Sequence, residues 1–199
     1  MKRTLILSCV VASAFVFLSA SAHSAQAQSE PPKFEVGGQF SLLNFDPKLL
    51  DRSRRNEIGG GGRFTFNFHK YVAAEAQFDY FPKSDTERIG TVTLTQFGSK
   101  AVGVFGVKAG ARKKNFGIFG KARPGFIHFS VVPGFLCIAS PCPQPAKTNF
   151  AFDAGGVVEY YPSKRAVLRF DAGDLIIHYQ RLFGTDHNLQ ISAGVGVRF

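Results

Sequence analysis

The sequence of 199 residues contains no tryptophan, one methionine and three cysteines. So few thiols exclude a disulfide scaffold or a multi-zinc protein. Charged residues are also scarce, at 19 % against about 25 % in an average soluble domain. Acids are the scarcer sign, with 14 Asp and Glu against 24 Lys and Arg. After residue 27 no apolar run approaches the ~18 residues of a spanning helix, which excludes a helical membrane bundle. The five histidines, His23, His69, His128, His178 and His187, are scattered without zinc spacing, so neither a metal nor another cofactor is expected. Apolar residues at 45 % exclude disorder, and the length implies one domain. Phe (22) and Gly (21) are abundant instead.

Met1-Lys2-Arg3, the apolar stretch Leu5–Leu18 and the small residues ending at Ala25-Gln26-Ala27 have the layout of a secretory signal peptide. Residues 1–27 are therefore expected to be cleaved, leaving 28–199 as the mature domain. Cys9 is no lipidation site, because the apolar run continues past it. Cleavage removes Lys2, Arg3 and Cys9 and leaves 172 residues, a formal charge of +8, and Cys137 and Cys142. In an oxidising compartment these two, set among Pro141, Pro143 and Pro145, are expected to form a disulfide that shapes a loop tip.

No amphipathic helix is evident; the recurring period is two. Phe34, Val36, Phe40 and Leu42 alternate with Glu35, Gly37, Gln39 and Ser41. Phe64, Phe66 and Phe68 alternate with Arg63, Thr65 and Asn67. Comparable patterns occupy 72–80, 97–108, 116–126, 149–160, 168–173 and 188–199. Most of these eight strands run about 9–12 residues, the length that crosses hydrocarbon at a tilt. Long connections at 43–57, 82–95, 130–148 and 176–187 alternate with short ones at His69-Lys70, Arg112-Lys113-Lys114 and Pro162–Arg165. An up-and-down barrel with tight turns at one rim and loops at the other has this order. The fold class expected is thus all-β: an eight-stranded antiparallel up-and-down transmembrane β-barrel, closed by pairing 33–43 with 188–199.

A water-soluble barrel also alternates, so the polar face must decide. It carries Glu35, Arg63, Glu75, Asp79, Lys100, Lys108, Lys121, Arg123, Asp153, Glu159, Arg169, Asp171 and Arg198, with many glycines between them. A narrow eight-stranded lumen needs small neighbours beside long charged chains, and both signs are present to pair there. The opposite face is almost free of charge, as hydrocarbon requires. Such a barrel has no open pore. The positive charge does not imply nucleic acid, because the aromatics lie on the apolar face and do not interleave with the cations. The cations of the short turns are expected at the periplasmic rim, against phospholipid phosphates. Arg52-Ser53-Arg54-Arg55 in a long loop are expected either to meet anionic phosphates outside the cell or to be solvated.

The signal peptide, the alternating strands and the final segment Gln190–Phe199 together resemble the OmpA/OmpX-like family of bacterial outer-membrane barrels. The resemblance covers 33–199 and implies an outer-membrane location. It implies outer-membrane lipids and lipopolysaccharide as partners. It also implies an assembly signal at Val195, Val197 and Phe199 read by the barrel-assembly machinery. A structural or surface-interaction role carried by the extracellular loops is expected, for an unknown surface ligand. The alternative is a lipid A-modifying hydrolase: His128-Phe129-Ser130 is similar to the H-x-S pair of outer-membrane lipid A deacylases. The following Val131-Val132-Pro133 lacks that family's asparagine, and a serine hydrolase also needs a carboxylate to orient its histidine.

Overall fold

Alternating aromatic and β-branched residues favour extended chain, and long segments of this kind pair on both sides. The computed structural model of the protein describes residues 32–45, 54–83, 85–89, 92–131, 146–179 and 184–199. Ten strands form: β1 (Phe34–Phe45), β2 (Arg55–Asn67), β3 (Val72–Phe81), β4 (Asp85–Ile89), β5 (Val92–Phe97), β6 (Lys100–Lys113), β7 (Phe116–Phe129), β8 (Lys147–Tyr160), β9 (Ala166–Tyr179) and β10 (Gly184–Arg198). Eight close into an antiparallel barrel in the order β1-β10-β9-β8-β7-β6-β3-β2, while β4 and β5 pair with each other as a separate hairpin.

Closure satisfies the backbone that an open sheet would leave unpaired in lipid. The β1–β10 seam runs from Glu35 opposite Arg198 to Asn44 opposite Leu189. Phe34 and Phe199 finish it with reciprocal N–H to C=O bonds of 2.9 Å. At the rim where Phe34 meets Phe199, the connections are short. The tightest is Lys114-Asn115 between β6 and β7, with Lys114 at φ 50°.

One parity faces outward throughout. Phe40, Ile58, Phe105, Ile118 and Val197 are each at least 58 % exposed in the isolated chain. That surface has no place in water and fits hydrocarbon.

The strands continue beyond the expected boundaries at the loop end. Residues 43–45 belong to β1, 55–57 to β2, 127–129 to β7, 147–148 to β8, 176–179 to β9 and 184–187 to β10. The loop expected at 176–187 reduces to 180–183, and that expected at 82–95 contains β4 and most of β5. The reason lies in the alternation itself. Toward this end Leu43, Phe45, Ile127, Phe129, Leu175 and Ile177 point inward, and their neighbours Asn44, His128, Asp174 and His178 point outward. The strands have left hydrocarbon here, so the outer face becomes polar and the inner face gathers an apolar cluster. Period two persists while its polarity inverts, which in sequence looks like the end of a strand.

Candidate functional site

The inward parity brings charged residues from every barrel strand into one narrow lumen. All thirteen charged residues of the polar face are buried there. Glu75 on β3 is the hub. Its carboxylate takes both terminal nitrogens of Arg169, one at 2.7 Å, and also Nη1 of Arg123. Arg123 reaches Asp153 through Nε at 2.7 Å and Gln77 at 2.8 Å. Arg169 holds Asp171 at 2.7 Å, and Lys121 bridges Asp171 and Asp153, the latter at 2.8 Å. Lys108 pairs with Glu159. Bidentate Arg–carboxylate forks of this kind hold both partners in fixed planes.

Glycines make the crossing possible. A Cβ on Gly173 would lie 2.9 Å from Cε of Lys121 and 2.7 Å from Oδ1 of Asp153. A Cβ on Gly61 would lie 2.5 Å from Oδ1 of Asp79.

Toward the short-turn end, Arg112 turns inward instead of joining the rim. Its guanidinium donates to Asn67 at 2.6 Å and to the Tyr161 hydroxyl at 2.9 Å, and lies 3.5 Å from Glu35. Tyr161, just beyond β8, donates to Glu159 at 2.5 Å. Burial, then the Glu159 carboxylate, pushes its phenol up, so it remains a donor across the physiological range. Arg198 stacks its guanidinium 4.1 Å from the Tyr161 ring centroid and approaches Glu35 at 3.4 Å.

Two of the thirteen depart from ion pairing among the described residues. Asp79 accepts from four neutral donors: Gln39 at 2.8 Å, Ser41 at 2.9 Å, Gln77 at 2.6 Å and Gln190 at 2.9 Å. Arg63 has Gln39 at 3.5 Å and no carboxylate within 4.0 Å among these residues. Counting only charges in the sequence overlooks the amides. Their parity, shared with Glu35 and Glu75, is the signal that locates them.

Above the Asp79 layer an apolar cluster fills much of the lumen. Leu43, Phe45, Phe81, Val102, Ile127, Phe129, Leu175 and Ile177 form one buried cluster. Within it Lys100 pairs with Glu57 at 2.6 Å and lies 4.8 Å from the Phe45 ring centroid. Glu57 falls inside the expected loop 43–57, which hid it. Asn149, Asp186 and Asn188 are also buried at this level, opposite Ile127, Ile177 and Leu175. The inside of the barrel is thus charged below and amide-lined in the middle, and on top an apolar cluster surrounds a few buried polar groups.

The outer rim carries the hydrolase candidates. His128 shares a 2.8 Å bond between Nδ1 and Oγ1 of Thr148. Ser130 accepts from Ser99 at 3.1 Å. Asp153 and Glu159 lie in the lumen, on the other side of the wall. Asp171 and Asp174 lie on opposite faces of β9, with Asp174 bonded to His187 at 2.5 Å. Val195, Val197 and Phe199 face outward along β10, and the Phe199 ring lies 6.0 Å from that of Phe34. Cys137, Cys142, Arg52 and the segment 1–27 lie outside the described residues.

A family model described as an outer membrane protein beta-barrel domain matches residues 12–199. No curated protein matches the chain in sequence. Among solved structures, Neisserial surface protein A is similar at 10 % identity and a TM-score of 0.63, covering 84 % of this chain and 97 % of its own. OprG of Pseudomonas aeruginosa is similar at 12 % identity and a TM-score of 0.56, with 85 % and 97 % covered. Ail, the attachment invasion locus protein of Yersinia pestis, in complex with the heparin analogue sucrose octasulfate, is similar at 15 % identity. It has a TM-score of 0.51, with 83 % and 96 % covered.

Proposed function

Because the chain belongs to the outer-membrane protein β-barrel domain family, and so resides in the bacterial outer membrane, we propose that its surface-interaction role is carried by the extracellular segments around 46–53 and 132–145 and by the β4–β5 hairpin. The observation that carries this reading is the apolar cluster closing the outer end of the lumen. With the lumen packed by this cluster and by the charge network below it, encounters with other molecules fall to the outer rim. Arg54, beside Arg52 and Arg55 in sequence, and Lys83, just beyond β3, are exposed there. We read this basic edge as a contact for phosphate or sulfate groups of surface glycans and lipopolysaccharide. The complex of the fold neighbour Ail with sucrose octasulfate supplies a probe.

The test is binding of the purified, folded barrel to immobilised heparin. Replacing 46–53 with a short Gly/Asn turn, together with Arg54→Gln and Lys83→Gln, is expected to keep the heat-modifiable gel migration of a folded barrel. The same variant is expected to lose heparin retention at moderate salt. Unchanged retention would overturn the reading.

We take the protein to be non-enzymatic. His128 and Ser130 hydrogen-bond to Thr148 and Ser99, and the candidate orienting acids Asp153 and Glu159 lie in the lumen. Cells expressing Ser130→Ala are expected to show the same lipid A acylation by mass spectrometry as cells expressing the unaltered chain. A change confined to the unaltered chain would restore the hydrolase. We further read 1–27 as a signal peptide and Cys137–Cys142 as a loop disulfide. We read Val195, Val197 and Phe199, facing lipid at the closing seam, as the segment recognised by the barrel-assembly machinery.

A further inference from the structure

We propose that the periplasmic rim is a docking surface for the anionic phosphodiester headgroups of inner-leaflet phospholipids. The short-turn end carries a charge imbalance. Lys33, Lys70, Lys113, Lys114, Lys164 and Arg165 are all exposed there. The acids that reach this end, Glu35 and Glu159, are buried in the lumen and bonded to Arg112, Lys108 and Tyr161. Among the described residues this rim therefore presents no exposed Asp or Glu. Each lysine carries three donors and no acceptor, which suits phosphate oxygens.

Depth supports the same partner. Phe34, Phe66, Tyr71, Tyr160 and Phe199 are exposed in a belt beside these cations. Aromatic belts of this kind sit at headgroup level. The Nζ of Lys70 lies 4.9 Å from the Tyr71 ring centroid, which keeps that ammonium at the interface.

A third observation comes from the backbone. Lys114 occupies the tip of the two-residue β6–β7 turn at φ 50°. With φ positive at the first central residue alone, the turn favours glycine there, and lysine does not enter the left-handed region readily. A cation is held at the turn tip against the local conformational preference, as expected where the charge itself is used.

The proposal concerns the end opposite the loops, so its failure leaves the loop reading untouched. The test uses the full barrel refolded into phosphatidylcholine vesicles. These contain a trace of spin-labelled phosphatidylglycerol or spin-labelled phosphatidylcholine. Electron paramagnetic resonance reads the relative association of each lipid with the protein surface. The unaltered barrel is expected to prefer phosphatidylglycerol about fivefold, less in high salt. The variant K70Q/K113Q/K114Q/K164Q/R165Q is expected to fall to near parity while keeping the gel shift of a folded barrel. Arg54→Gln with Lys83→Gln, at the other rim, is expected to keep the preference. A rim variant that retains the preference overturns the proposal, as does loss of the preference in the outer-rim variant. Should the fivefold substitution fail to refold, Lys114→Gly decides. Glycine relieves the left-handed strain, so resistance to urea is expected to hold or rise while the phosphatidylglycerol preference drops. An unchanged preference in that variant overturns the proposal.

Discussion

Glu75→Gln is expected to destabilise the barrel by about 3–5 kcal/mol, the usual cost of breaking a buried ion pair from one side. Glu75 serves both Arg169 and Arg123, with Lys108 a further 3.8 Å away. Glutamine keeps the shape and removes the charge, so two guanidiniums lose half their compensation at a site water does not reach. They are not left bare: Arg169 keeps Asp171 and Arg123 keeps Asp153. The lower end of the range applies if those carboxylates re-centre. Urea unfolding in lipid vesicles, followed by the gel shift between folded and unfolded forms, measures the loss. A loss below about 1 kcal/mol would mean that the lumen behaves like an exposed surface, which would sink the dry-network account. A double variant, Glu75→Leu with Arg169→Met, sharpens the test. Its loss should be clearly smaller than the sum of the two single losses, because apolar residues can replace a buried pair with little net cost.

Phe129→Ala has the second large expected effect, again about 3–5 kcal/mol. Phe129 is 0 % exposed, with ring centroids of Phe45 at 5.8 Å and Tyr179 at 6.3 Å. Truncation removes the apolar transfer energy and leaves a cavity beside the Lys100–Glu57 pair. Collapse around that cavity is limited by the barrel wall. The same unfolding assay applies. A cost under about 1 kcal/mol would place water already in the upper lumen, and with it the argument that the outer end is sealed would fail. The inner aromatics thus stabilise the fold and also close the interior, so the outer rim is left as the surface for recognition.

Much of this barrel was legible in the alternation. Phe64 and Phe66 against Arg63 and Thr65, or Val195 and Val197 against Gly194 and Gly196, specify which side of a strand meets lipid. Alternation reads well there because the two solvents differ sharply, one hydrocarbon and the other a charged interior. The seam between the first and last segments followed from the need to pair every edge in lipid. The reading failed where the solvents exchange. Leu43, Phe45, Leu175 and Ile177 keep the inward parity of Ser41 and Asp171 but not their chemistry. A change of character without a change of period looks like a loop. Arg112 was misplaced for a related reason. Beside Lys113 and Lys114 it counts as a rim cation, yet its parity turns it to Glu35 and Tyr161.

The sequence by itself determined the strand period, the face offered to lipid, the closed eight-stranded class and most of the charges enclosed. These depend on local alternation and on the rule that backbone in hydrocarbon must be paired. Tertiary structure alone decided which charges meet. Glu75 lies 94 residues from Arg169 and 48 from Arg123, and only strand tilt and register bring them to one level. It also decided that Asp79 rests among amides and that an apolar cluster packs the upper lumen. Both depend on the height at which each strand leaves the membrane, a property of the assembled barrel and not of any one segment.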